Sequence, residues 1–223
     1  MNTLTTILWK DIINELRTKE ILLSMAAFSI VLVVIFNFSL VISKDNIGYL
    51  VPSLLWISII FVGTLGLSRT FAIEKENSAI IGILLCPVDR SMIYLSKVIS
   101  NFLYVFITQI ILLFLFLVLF NINLNGELGL LLIVMILGAI GFSSLGTLFS
   151  TMAINTKLRE LLLPLVLFPI LIPLIINAVK ATSIIFNGGG YTELSPYLKI
   201  IICFDIIFLV TSALVYEFVV EES

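Results

Sequence analysis

Six long apolar blocks divide the chain, and the short segments between them carry most of its charged residues. The blocks cover residues 21–42, 50–68, 92–120, 128–154, 161–179 and 198–218. A hydrocarbon core about 30 Å thick needs roughly 20 apolar residues per helical crossing, and backbone polar groups in lipid must be satisfied within the segment. The short alternating segments of a membrane barrel are absent. The pattern predicts an all-α polytopic membrane protein with six transmembrane helices in a single domain over residues 1–223.

Composition supports this class, because 61% of the residues are hydrophobic and only 12% are charged. Nine of the 12 Lys and Arg residues fall in the N-terminal segment, in or just beyond the loop after the second block, and in the loop after the fourth block. By the positive-inside rule, both termini are expected in the cytoplasm. The sequence has no face of basic residues of the kind that nucleic-acid binding requires.

The N-terminal segment, residues 3–20, is too polar to be a span. Its apolar residues recur at helical spacing, which predicts an amphipathic helix in the membrane interface with Trp9 at headgroup level. Either this helix only anchors the first span, or it forms an elbow that braces against the rest of the bundle. The apolar stripe consists of Leu4, Ile7, Leu8, Ile12 and Leu16.

The loop between the second and third spans begins charged and becomes apolar before Pro87. A short helix is predicted over residues 72–85, with Glu74, Lys75 and Glu76 projecting into the cytoplasm. It ends before Pro87 because the residue that precedes proline is biased away from helix. The alternative is a charged loop that is merely solvated.

Three features of the later spans predict local structure. The fourth span has a face of small residues, which indicates either close packing within the bundle or a dimer seam. The fifth contains Pro164, Pro169 and Pro173, so we expect it to be kinked or partly unwound. Residues 178–196 contain three consecutive glycines and are interpreted as an external loop with a short re-entrant or surface helix.

Asp205 is the one carboxylate that falls deep inside an apolar block. An ionisable group in lipid is costly and is by default a candidate functional site. It is interpreted first as a structural carboxylate bonded to a neighbour such as Tyr or Thr. The second interpretation is an intramembrane functional carboxylate that contacts a proton or a substrate.

The chemistry of an enzyme is missing from the sequence. The chain contains no His, and it has no Ser/His/Asp set, no paired carboxylates on one helix face and no Walker phosphate loop. Two lone cysteines do not indicate a metal site. We therefore expect a non-catalytic membrane subunit whose energy comes from a soluble partner, with residues 72–85 as the place where that partner docks.

Several stretches together resemble haem exporter protein B, the CcmB family, over nearly the whole chain. No single one is diagnostic, but they occur in order and with the expected six spans. The matching stretches are residues 10–20, 69–76, 87–90, 159–164 and 168–173, which read KDIINELRTKE, RTFAIEKE, PVDR, RELLLP and FPILIP.

The resemblance implies a permease subunit, similar to the ABC-2 exporters, in the ABC complex of system I cytochrome c maturation. It implies a pair of such subunits with two ATP-binding A components, a haem-handling C component, a small D component and the haem chaperone E component. ATP and haem would be held by these partners, with no cofactor bound directly by this chain. The membrane would be the bacterial inner membrane, or the mitochondrial one if the chain is organelle-encoded.

By the same analogy, a coupling helix contacts the ATP-binding subunit through Arg69, Glu74, Lys75, Glu76 and Asn77. The expected function is haem export, or release of haem-loaded chaperone, in c-type cytochrome biogenesis. Two alternatives stay open: an ABC-2 permease for a lipid, polysaccharide or drug, and a secondary carrier without an ATPase partner.

Overall fold

The computed structural model describes residues 3–40, 47–76, 89–122, 128–153 and 159–221, which hold seven helices and no strand. Six of these helices, α2 to α7, are long and apolar enough to cross a membrane. The prediction of an all-α chain with six spans is therefore confirmed. The helices are α1 Thr3–Thr18, α2 Glu20–Ser39, α3 Ile47–Glu76, α4 Arg90–Leu119, α5 Leu128–Ala153, α6 Arg159–Phe186 and α7 Tyr191–Glu221.

Helices α6 and α7 are longer than the apolar blocks that predicted them. The expected external loop over residues 178–196 is wrong, because α6 continues to Phe186 and α7 begins at Tyr191. The polar residues near the end of α6 are compatible with a helix. The Thr182 hydroxyl, for example, donates to the carbonyl of Ala178 one turn earlier. The chain reverses over residues 187–190, where Gly188 has a φ of 77° that favours glycine.

Pro164, Pro169 and Pro173 all lie inside α6, which is helical along its whole length. The expectation of partial unwinding is therefore wrong for its described residues. Membrane helices tolerate proline where other groups satisfy the freed carbonyls.

Helix α5 lies at the centre of the bundle and packs against α4, α6 and α7. Its glycines face other helices of the same chain: a Cβ atom on Gly138 would meet the ring of Trp56, and one on Gly146 would meet Leu67. The small face is thus used for close packing, as one interpretation predicted. The dimer-seam interpretation of this face is wrong, because α3, α6 and α7 of the same chain already occupy it.

Helix α1 packs against α4 instead of lying free, which favours the braced elbow of the two interpretations. Ile7 is buried there, while Trp9 and Leu16 are 60% and 65% exposed. The joint to α2 is the single residue Lys19, whose φ of 55° is left-handed. The Glu15 carboxylate accepts the Leu22 backbone N–H at 2.8 Å and so caps the start of α2.

The part of the bundle beside α1, called here the α1 end, holds the last turn of α3 and the first turns of α4. Helices α3 and α4 each have 30 residues. At 1.5 Å per residue they are about 45 Å long, which exceeds the thickness of the hydrocarbon core. Their surplus turns carry the polar contacts described next.

Candidate functional site

A buried cluster of three charged side chains joins three helices at the α1 end. The Lys97 ammonium of α4 lies 2.8 Å from a carboxylate oxygen of Asp11 on α1, and it also binds the carboxylate of Glu74 on α3. Only 3% of the Lys97 side chain is exposed, with 10% for Asp11 and 9% for Glu74. We call these three residues the ion cluster.

The face of α4 that meets α1 is polar over two turns. From Lys97, the next positions on that face are Ser100, whose hydroxyl donates to the Asp11 carboxylate at 3.3 Å, and Tyr104, whose hydroxyl donates to the Asp11 backbone carbonyl at 3.2 Å. Positions spaced by three, four and seven residues share one helix face. Lys10 adds a contact of 3.1 Å to the second oxygen of Asp11. Asp11 is therefore held by two cations and two hydroxyls.

The cluster is asymmetric, because one oxygen of Glu74 binds Lys97 while the other, Oε2, is buried without a hydrogen-bond partner among the described residues. Burial of charge is tolerated only when each charge is paired, and loss of one partner from such a pair is strongly destabilising. The three helices are therefore held in one register by Lys97.

Glu74 does not project into the cytoplasm, so that expectation is wrong. Residues 72–76 are the last turn of α3, not the beginning of a separate helix, and this turn places Glu74 on the buried face that it shares with Thr70. Residues 77–85 of the predicted coupling helix lie outside the described residues. Its role in contacting an ATPase stays a prediction.

The other predicted coupling residues are distributed around the end of α3. Arg69 forms an ion pair of 2.5 Å with Glu20 of α2, and both side chains are about half exposed. Lys75 and Glu76 are the final residues of α3. Asn77 lies outside the described residues. The structure thus brings Glu74, but not Arg69, into the ion cluster.

Lys97 was not predicted as a site residue, because it was counted only among the basic residues that predict the orientation of the chain in the membrane. The available signal was its position inside the third apolar block, among Ser96, Ser100 and Asn101. A charge inside an apolar block that is flanked by polar residues indicates a buried partner. Its two partners come from segments 86 and 23 residues away, and spacing does not reveal them.

A second polar layer adjoins the ion cluster between α4 and α5. The Tyr94 hydroxyl lies 2.9 Å from the Ser144 hydroxyl, and the Asn101 side-chain amide donates to the Thr147 hydroxyl at 2.9 Å. Tyr216 of α7 lies against Tyr94, with 5.2 Å between ring centroids. Polar contacts therefore fasten α4 to α5 at the same end of the bundle.

Asp205 lies near the middle of α7 and is only 6% exposed. Because α7 begins at Tyr191, seven residues before the apolar block, Asp205 lies deeper in its helix than the block indicated. Its carboxylate faces Gly141 of α5, beside Leu174 of α6. Neither oxygen has a hydrogen-bond partner among the described residues, so the expected bond to Tyr or Thr is not found there.

The described contacts at this end are ion pairs and hydrogen bonds that hold α1, α3 and α4 together. Within the described ranges, no group of three His, Cys, Asp or Glu side chains could hold a metal ion.

A family model described as CcmB protein matches residues 2–222, essentially the whole chain. The chain belongs to the CcmB family. No curated protein matches the chain. The resemblance given by the sequence stretches is thereby confirmed. Membership in the CcmB family makes the chain a multi-pass membrane permease component of a haem-export system in cytochrome c biogenesis, and it implies an ATP-binding partner.

Proposed function

We propose that this chain is the permease subunit that converts ATP hydrolysis on a separate A component into movement of its own helices. The observation that carries the proposal is the ion cluster. Glu74 lies in the last turn of α3, at the start of the predicted coupling segment over residues 72–85, and its carboxylate binds Lys97 of α4. A displacement of that segment would be passed through Lys97 to Asp11 of α1.

The cluster suits this role because a buried charge pair resists separation. If the partners separated in a region that water does not reach, each charge would be uncompensated in a low dielectric, which costs several kcal/mol or more. The three helices therefore move together or not at all. Contact with the ATP-binding subunit is assigned to Arg69, Lys75, Glu76 and Asn77, with Glu74 as the internal link.

The cargo step that we favour is release of haem-loaded chaperone, with haem itself held by the C and E components. The chain contains no His, so it lacks the commonest axial ligand of haem iron. The proposed complex contains two copies of this chain, two A components and the small D component. Its proposed location is the bacterial inner membrane, or the mitochondrial one for an organelle-encoded chain.

The coupling proposal is tested by affinity purification of the full chain in mild detergent, scored for co-purifying ATPase activity. We expect an ATPase with the unaltered chain and about tenfold less with Glu76→Lys, the scale of one interfacial charge interaction. The matched control is Glu193→Lys, a charge reversal in the exposed first turn of α7 at the opposite end of the bundle. An unaltered chain without ATPase, or normal c-type cytochrome levels with Glu76→Lys, would overturn the proposal.

We also infer that Asp205 has a functional role inside the membrane, as a contact for a proton or for a substrate. Asp205→Asn removes the charge and keeps the shape. We expect lower c-type cytochrome levels with unchanged or higher thermal stability, because no hydrogen bond from a described residue is lost. Ser143→Ala, which also changes a buried side chain without a described partner, is the control and should leave cytochrome levels normal. Normal c-type cytochrome levels with Asp205→Asn would show that Asp205 has only a packing role.

A further inference from the structure

A cleft of about 500 Å³ opens beside α1, next to the ion cluster. It is lined by residues of α1, of the first turn of α2 and of the end of α3, and by Tyr104 of α4. Charged and apolar side chains both line it. The lining residues used below are Ile13, Glu15, Arg17, Ile21, Ile73 and Glu74.

Two opposite charges in this cleft have no ion-pair partner among the described residues. Glu15 is only 3% exposed, and one of its oxygens caps α2 through the Leu22 N–H. Arg17, two residues further along α1, is exposed. The other charges are compensated, since Lys97 and Lys10 hold Asp11. The cleft thus presents one buried anion and one accessible cation.

A third feature of the cleft also favours a ligand that donates hydrogen bonds. Glu74 also lines the cleft, and its Oε2 atom is buried without a partner among the described residues. Carboxylates only accept hydrogen bonds, so Glu15 and Glu74 both favour a ligand group with N–H donors. Arg17 favours a phosphate, which guanidinium recognises in a bidentate geometry.

The position of the cleft indicates where such a ligand comes from. The adjacent surface of α1 exposes Trp9 and Leu16, so α1 lies at the level of lipid headgroups. Ile13 is 36% exposed on the cleft wall, and Ile21 and Ile73 continue the apolar lining. Acyl chains therefore have a surface to lie on, next to the charged groups.

The geometry points to a binding site for a zwitterionic phospholipid with a primary ammonium headgroup. Arg17 binds the phosphate, Glu15 accepts hydrogen bonds from the ammonium, and the isoleucines contact the first carbons of the acyl chains. A choline headgroup fits the charges but has no N–H to donate, so it binds more weakly. The bound lipid wedges between α1 and α3 and supports the elbow from its open side.

The site is tested on the full-length chain, delipidated in detergent and titrated with phosphatidylethanolamine or phosphatidylcholine of identical acyl chains, with binding read by native mass spectrometry. We expect the ethanolamine lipid to bind about tenfold more tightly than the choline lipid, the scale of one charge-assisted hydrogen bond. Glu15→Gln should abolish this preference, and Arg17→Gln should weaken both lipids. The amide introduced by Glu15→Gln keeps a carbonyl oxygen that caps α2, so folding is preserved.

The matched control is Lys199→Gln, an exposed cation on α7 far from the cleft, which should change neither affinity. Equal binding of the two lipids by the unaltered chain overturns the proposal. So does an equal loss with Lys199→Gln. Displacement of the lipid by soluble glycerophosphoethanolamine at the same concentration would assign the cleft to a free headgroup and also overturns the lipid site. Because none of these readouts involves an ATPase, the result is independent of the coupling proposal.

Discussion

Lys97 is the residue on which the α1 end depends most. Its ammonium compensates carboxylates from two other helices, and 3% of its side chain is exposed. Without Lys97, the buried Glu74 carboxylate would have no counterion among the described residues, and Asp11 would keep only Lys10. The net contribution of such a pair to stability is small, but the cost of breaking it is large, because the partner left behind is desolvated.

Lys97→Met tests this asymmetry, since methionine keeps the length of the side chain and loses the charge. We expect the free energy of unfolding to fall by about 3–5 kcal/mol, the cost of leaving a buried charge uncompensated. Denaturant or thermal unfolding of the purified subunit in detergent measures it. Lys199→Met, at an exposed position of α7, should stay within about 0.5 kcal/mol of the unaltered chain. Equal stability of Lys97→Met and the unaltered chain would contradict the ion cluster.

The sequence predicted one member of this cluster, Glu74, but with the wrong environment. Charge alone predicts exposure, and only the α3 register shows that Glu74 follows Thr70 on the buried face. Asp205 was recognised because it interrupts an apolar block, whereas Asp11 lies in a polar segment and gave no such signal. Contacts between residues distant in sequence require the packing of whole helices, which local pattern does not contain.

At the scale of elements, α5 is the axis of the bundle because its glycines let other helices approach its backbone. A Cβ atom on Gly138 would collide with the ring of Trp56 on α3. That ring is held in place, since its N–H donates to the Thr182 hydroxyl of α6 at 2.9 Å. Three helices therefore meet at one glycine.

Gly138→Val is expected to destabilise the bundle by about 1–3 kcal/mol, the usual cost of overpacking a closed core. Gly129→Val is the control, because a Cβ atom there meets nothing within 4 Å and the position is exposed. Thermal unfolding in detergent measures the difference, and equal midpoints for the two variants would show that α3 does not pack at Gly138.

The number of spans was predictable because membrane thickness fixes the length of an apolar block. Their ends were less predictable. Residues 180–186 are polar enough to suggest a loop, yet Thr182 satisfies its hydroxyl within α6 and the helix continues. The three prolines likewise predicted a kinked or partly unwound helix, yet α6 is helical along its described length. Propensity is local, and tertiary packing overrides it.

For the whole molecule, an even number of candidate spans predicts that α1 and the end of α7 lie on the same side of the membrane. The distribution of Lys and Arg predicts that this side is the cytoplasm. A fluorescent protein fused after Ser223 should therefore fluoresce, and alkaline phosphatase fused there should be inactive. Fusions in the turn after Asn187 should give the opposite result. A reversed pattern at either site would contradict the predicted orientation.

The contact between Asp11 and Lys97 bridges 86 residues of sequence. The amino-terminal segment leaves the ribosome first, but its cationic counterpart is not synthesised until two spans and a loop have followed. The earliest helix is thus seated late, and until then its carboxylate must stay hydrated at the bilayer surface. The ion cluster therefore forms only after the start of the third span has been synthesised.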